Sequence, residues 1–304
     1  MKPSPALRRP ALRYHGGKWK LAPWVLTFLP AHRLYVEPFG GGASVLLRKK
    51  RSHAEVYNDL DGEVVNVFRV LQDPERAARL RGLLELTPYA RAEFMLAHAR
   101  EGLDDVELAR RAIVRSFFGF GTSSLHARAA RGMRTRASTS SIRHGTGFRA
   151  DAHGNGSTPA TDWRNYPAAV PAFVDRLRGV VLEQRDAVEV IAQHDRPGAV
   201  IYCDPPYVPS TRGDLRPDYS HELDDDGHRA LAKVLRAAAG RVVLSGYPSP
   251  LYDEELYPDW LRFERKHRAH DAAERTEVIW INPACAEALG QGGLFGVIDQ
   301  QDLP

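Results

Sequence analysis

Gly198-Ala199-Val200-Ile201-Tyr202-Cys203-Asp204-Pro205-Pro206-Tyr207 is the stretch around which the rest of the chain can be ordered. Gly198 to Tyr202 is apolar and β-branched, the composition of a short buried strand. Two prolines stop it: each lacks an amide proton and fixes φ, so the strand ends and the following loop is stiff. A carboxylate, a rigid carbonyl-bearing corner and an aromatic ring are therefore expected at a strand's C-terminal edge, where open α/β sheets bind ligands. This set suits gripping a planar ring that bears an amino group. Asp204 and the Pro205 carbonyl can each accept a hydrogen bond from one NH2, and Tyr207 can stack on the ring. Two acceptors on one amino group draw it toward tetrahedral geometry and leave its lone pair free to attack an electrophile.

The chain has 304 residues, 43% of them hydrophobic, enough for a large α/β domain with an insertion or for two domains. No apolar run reaches membrane-spanning length, and Met1 to Pro10 has no apolar signal-peptide core. Cys203 and Cys285 can supply neither a disulfide framework nor a four-ligand zinc site. His15, His144, His194 and His221 lack metal-ligand spacing, so no metal is expected, and a reducing cytoplasm is the default location. The net charge of +4 is a weak pointer to an anionic partner.

Upstream, Arg13 to Lys20 reads as a tight glycine loop leading into a helix from Leu21 to Leu29. Leu34-Tyr35-Val36-Glu37-Pro38-Phe39-Gly40-Gly41-Gly42-Ala43-Ser44 then gives a short strand, a glycine turn and a helix start, the order of a nucleotide-binding βα unit. A second strand, Ala54 to Tyr57, ends at Asn58-Asp59. Asp59 lies about 20 residues past the glycines, where such units place a carboxylate for ribose hydroxyls. The Lys-Ser/Thr of a phosphate-binding loop is missing, so ATP chemistry is disfavoured. A nucleoside without a phosphate cradle fits S-adenosylmethionine.

Asp61 to about Leu108 reads as helical. The stretch from Arg110 to Arg149 holds no Asp or Glu and interleaves arginines with Phe, Ser and Gly. Such composition offers phosphate contacts and stacking surfaces, and predicts nucleic-acid binding through arginines that include Arg115, Arg128, Arg131, Arg134 and Arg136. Further helices are expected over Tyr166–Leu177 and His228–Ala239. Strands are expected at Val180–Leu182, Arg241–Leu244 and Thr276–Asn282, with a polar loop over Tyr219–Asp226. This alternation predicts an α/β fold, a mostly parallel sheet with helices on both faces.

These motifs, in this order, resemble the Dam-type (alpha-class) DNA adenine N6-methyltransferases of bacteria and phages. Tyr14-His15-Gly16-Gly17-Lys18 matches the family's opening motif, and Glu37 to Ala43 matches its glycine turn, with Ala43 in place of a glycine. Asp204-Pro205-Pro206-Tyr207 matches its catalytic motif fully. The resemblance implies a Rossmann-like S-adenosylmethionine-dependent methyltransferase domain over residues 1–60 and 166–304. A largely helical target-recognition insertion would span 61–165. It implies that Tyr14, Lys18, Glu37, Phe39, Gly41, Asp59, Asp186 and Asp204 bind S-adenosylmethionine; the place of Lys18 after Gly16-Gly17, near the ligand turn, itself points to a carboxylate partner. It further implies that Asp204 to Tyr207 hold a flipped adenine from double-stranded DNA, and it leaves room for a cognate restriction endonuclease as partner. Ala43 suggests that this position needs no positive φ. A monomer is favoured. The competing readings are an N4-cytosine or RNA methyltransferase, which needs the same grip, and a non-catalytic DNA-binding relative.

Overall fold

A computed structural model describes residues 7–14, 16–119, 125, 147–150, 158–211, 221–268 and 274–291. Its centre is a seven-stranded sheet in the order β3-β2-β1-β4-β5-β7-β6. The strands are β1 (Leu34–Glu37), β2 (Ala54–Asn58), β3 (Val180–Glu183), β4 (Val200–Cys203), β5 (Arg241–Gly246), β6 (Leu261–Arg268) and β7 (Glu274–Ile281). β1 to β5 run parallel, while β7 is antiparallel to both β5 and β6. The mostly parallel α/β architecture expected from the sequence is therefore present.

Side-chain alternation divides the sheet between two apolar layers. Tyr35, Tyr57, Val200, Tyr202, Val243 and Ile279 belong to one; Val36, Val56, Ile201, Cys203, Val242 and Trp280 belong to the other. The first layer packs beneath α1 (Ala22–Leu26), α2 (Ser44–Arg48), α3 (Gly62–Gln72), α6 (Asp105–Phe118), α7 (Pro159–Arg164) and α8 (Val170–Leu177). The second is closed by α9 (Ala187–His194), α10 (Asp225–Ala237) and a π-helical turn at Leu251–Leu256. Every residue of β4 is buried, as a central parallel strand covered on both faces must be.

Carboxylates set the helix starts. Asp61 accepts from the Glu63 amide at 2.9 Å, Asp73 from those of Glu75 and Arg76 at 3.0 Å, and Asp104 from that of Glu107 at 2.9 Å. Asp73 precedes Pro74, which suits the first turn of α4 (Pro74–Leu86). Helices α3, α4, α5 (Arg91–Leu96) and α6 fill the helical span expected after Asp61.

Some expectations need correction. The helix read over Leu21–Leu29 is only Ala22–Leu26. The segment Tyr166–Leu177 is a 3-10 turn at Pro167–Ala169 followed by α8, because Pro167 and Pro171 each withhold an amide proton. Strand β6 went unread: Arg262, Glu264, Arg265, Lys266 and His267 give it no apolar stripe, and it is held by pairing along β7. Ala43 has φ 52° and ψ 34°, the left-handed conformation, so position 43 does require positive φ. It is the single non-glycine of this kind among the described residues. Its conformation costs about 1 kcal/mol or more, held by a fully buried methyl group and the Ala43 N–H···O=C Gly40 bond at 2.7 Å.

An ion network ties β2 to α8. The Glu55 carboxylate accepts from Arg176 at 2.6 and 3.1 Å and from Lys49 at 2.5 Å, and all three residues are buried. Glu55→Ala leaves two buried cations without their carboxylate and should lower stability by about 3–5 kcal/mol, read by chemical denaturation. A change under about 1 kcal/mol would show that solvent reaches the site.

Candidate active site

The sheet changes direction of growth at β1. From there β2 and β3 extend one way, β4 and β5 the other, so the β1/β4 junction is the switch point where open α/β sheets bind ligands. A cleft of about 140 Å³ opens there, and every residue expected at the cofactor lines it.

At one end, the turns after β1 and β2 are stitched together. The Gly41 amide donates to Asp59 Oδ2 at 2.7 Å and the Asp61 amide to Asp59 Oδ1 at 2.8 Å. The Tyr57 hydroxyl donates to the Gly41 carbonyl at 2.7 Å. A Cβ on Gly40 would stand 2.0 Å from Tyr57 Cε2, and one on Gly41, whose φ is +46°, would stand 2.8 Å from Tyr14 Cε1. These glycines let two rings close over the turn. Burial raises the Asp59 carboxyl to about 6, against the two amides that favour its ionised form. Glu37 is pushed up to about 8, again mainly by burial, and accepts from the Tyr35 hydroxyl at 2.8 Å and the Leu46 amide at 3.0 Å. Asp186 caps α9 by accepting from the Val188 amide at 2.8 Å.

At the other end Asp204 leaves β4. Lys18 donates to its oxygens at 2.7 and 2.8 Å, to the Gly16 carbonyl at 3.1 Å and to the Tyr207 hydroxyl. Ser245, at the end of β5, donates to Asp204 Oδ1 at 2.9 Å, and Tyr202 lies 3.0 Å behind Ser245. Glu277, on β7 and 1% exposed, stands 3.5 Å from the Lys18 ammonium and 3.3 Å from the Tyr207 hydroxyl. Burial alone would strip Lys18 of its proton, but Asp204 and Glu277 outweigh it and hold the ammonium well above the ordinary lysine range. Burial raises Glu277, opposed by Lys18.

The carboxylate that Lys18 meets is thus the chain's own Asp204. Tyr207 is 6% exposed, with its ring centroid 4.1 Å from that of Tyr247 and its hydroxyl held between Lys18 and Glu277. Sequence reasoning assigned no role to Ser245, Tyr247 or Glu277. An acid directly bordering the apolar run Val278-Ile279-Trp280-Ile281 was the one available signal for Glu277.

The arginine reading needs a correction at Arg115. Its side chain is fully buried in α6, where it donates to the Leu125 carbonyl at 3.0 Å and pairs with the Ala97 carbonyl and Glu63. It is therefore an internal tie that presents nothing to a DNA backbone. Arg110 and Arg111, also buried, share Glu107. The expectations for Arg128, Arg131, Arg134 and Arg136 lie outside the described residues. Among the described residues no His, Cys, Asp or Glu group could hold a metal ion, and no helix is long and apolar enough to cross a membrane.

Comparison with known proteins identifies the family. The type II methyltransferase M1.LlaDCHI of Lactococcus lactis subsp. cremoris is 25% identical over 263 residues, covering 83% of this chain and 85% of that one. The model of the D12 class N6 adenine-specific DNA methyltransferases matches residues 14–271, which include the opening lysine, the glycine turn, Asp59 and the Asp204 corner. The chain belongs to the D12 class N6 adenine-specific DNA methyltransferase family, and methylates adenine N6 in DNA.

Proposed function

We propose that this enzyme binds S-adenosylmethionine in the β1/β4 cleft and methylates a flipped adenine of duplex DNA held at Asp204. The observation that carries this reading is the joining of Asp59 and Asp204 by one cleft at the switch point. The donor set fits the cofactor. Asp59 keeps lone pairs for two ribose hydroxyls, Tyr14 and Phe39 offer ring faces, and the glycine turn leaves room for a nucleoside. DNA methyltransferases generally use this cofactor. When bound it supplies the methyl group, whose carbon bonds to N6 while the bond to sulfur breaks and the electron pair leaves on a neutral thioether.

The chain's part is positioning. The target base leaves the stack, at a cost of a few kcal/mol. Asp204 and the Pro205 carbonyl accept the two N6 hydrogens and orient the lone pair. Lys18 and Ser245 both bond Oδ1, whereas Oδ2 accepts from Lys18 alone and keeps a lone pair for the amino group. The same carboxylate can take the proton that N6 loses. The Tyr207 ring, with Tyr247 behind it, gives the base a stacking partner worth about 1–3 kcal/mol. Asp204 rather than Ser at the head of the motif favours adenine over N4 of cytosine. The helical span 61–165 is the proposed target-recognition insertion. The relative's name, a type II methyltransferase, supports a place beside a cognate restriction endonuclease.

Asp204→Asn should lower kcat by about a hundredfold to a thousandfold while the Kd for S-adenosylmethionine changes far less. Tritium transfer to duplex DNA and calorimetry measure the two, and near-normal turnover would remove Asp204 from the reacting site. Asp59 adds a pH dependence. Ribose hydroxyls donate to the ionised carboxylate, which predominates above pH of about 6. Cofactor affinity should be full above that pH and decline as pH falls through it, and Asp59→Asn should flatten the profile. An unchanged profile would separate Asp59 from the cofactor.

A further inference from the structure

Strands β6 and β7 outrun the rest of the sheet. The last residue pair between β5 and β7 is Gly246↔Val278. Beyond it β6 and β7 stay paired from Arg265↔Glu277 through Lys266↔Thr276 and His267↔Arg275 to Arg268↔Glu274. At ~3.4 Å per residue this ribbon extends about 14 Å past the sheet. It does so on the edge where Asp204 leaves β4, because β6 runs in the same direction as β5.

Its composition differs from the core of the sheet. Arg265, Lys266, His267 and Arg268 follow one another on β6, and Arg275 lies on β7. Pairing places Arg265 opposite Glu277 and His267 opposite Arg275, so these four share one face. The Glu277 carboxylate on that face is buried and turned to Lys18 and Tyr207, and stands 3.8 Å from His267. Arg275 lies over the Tyr247 ring, its guanidinium 5.8 Å from the centroid and 3.3 Å from the hydroxyl. Tyr247 in turn packs on Tyr207. Cationic side chains thus continue outward from the aromatic pair beside Asp204. Lys266 is exposed on the reverse face.

We propose that the β6–β7 ribbon is a DNA-backbone clamp: Arg265 and Arg275, with Lys266, contact phosphates next to the flipped adenine. The clamp rests on the reading of Asp204 as the target-base site. A base drawn into that corner brings its own strand's phosphates to the rim of the sheet, and a cationic β-ribbon is the matching surface there. The contact is independent of base identity, so it holds the strand while sequence is read elsewhere.

The test compares the wild-type chain with R265A/K266A/R275A by fluorescence anisotropy on adenine-containing and scrambled duplexes across a salt series. The clamp predicts roughly 10- to 100-fold weaker binding to both duplexes and a log–log salt slope shallower by about 2 to 3. Calorimetric affinity for S-adenosylmethionine should be unchanged, which shows that the variant is folded. Because Cys203 and Cys285 are buried, K266C can carry a thiol-attached photocrosslinker, which should capture DNA next to the target adenine. Wild-type affinity and slope in the triple variant, or crosslinks only at distant positions, would overturn the clamp while leaving the assigned reaction intact. A wild-type chain that binds no duplex would overturn both.

Discussion

The buried Lys18 ammonium, 2.7 and 2.8 Å from the oxygens of the partly exposed Asp204, is the contact on which the candidate site depends. It draws the opening glycine loop against the end of β4 and bonds the Tyr207 hydroxyl. With Glu277 at 3.5 Å it also reaches β7. A buried cation is tolerated only when anions surround it, so Lys18, Asp204 and Glu277 stand or fall together. The same ammonium keeps the Asp204 oxygens aligned.

Around that contact the sheet supplies rigidity. Strand β4 is buried on both faces, so its last residue cannot shift without disturbing two apolar layers. The glycine turn after β1 is equally constrained. Asp59 holds the Gly41 amide, Tyr57 holds the Gly41 carbonyl, and Ala43 is kept left-handed in a closed core. Strain sits at the turn facing the cleft, a common place for it in enzymes. Carboxyls at the cleft are unusual in the same way: Asp59 at about 6 and Glu37 at about 8 are both displaced chiefly by burial.

Charge shows how composition and position part company. The stretch from Arg110 to Arg149 has no acid of its own, which favours an anionic partner when read along the chain. Folded, Arg110 and Arg111 meet Glu107, just outside the stretch, and Arg115 meets Glu63, 52 residues upstream on α3. On β6 the cations fall at the active-site edge, and no composition window singled them out.

The sequence by itself determined the α/β class, six of the seven strands in their order along the chain, and the eight residues expected at the cofactor, all of which line the cleft. Those depend on local rules: apolar runs ended by Pro205 and Pro206, glycines at Gly40 and Gly41 where rings close in, and Asp59 at a set distance beyond them. Tertiary structure alone decided that Lys18 meets Asp204, that Glu277 lies beside Tyr207, that Arg115 is internal and that β6 is a strand. Each of these depends on which distant side chain supplies the opposite charge or the next ladder of hydrogen bonds. Such partners are separated along the chain, 186 residues apart for Lys18 and Asp204, and only the closed sheet brings them within bonding distance.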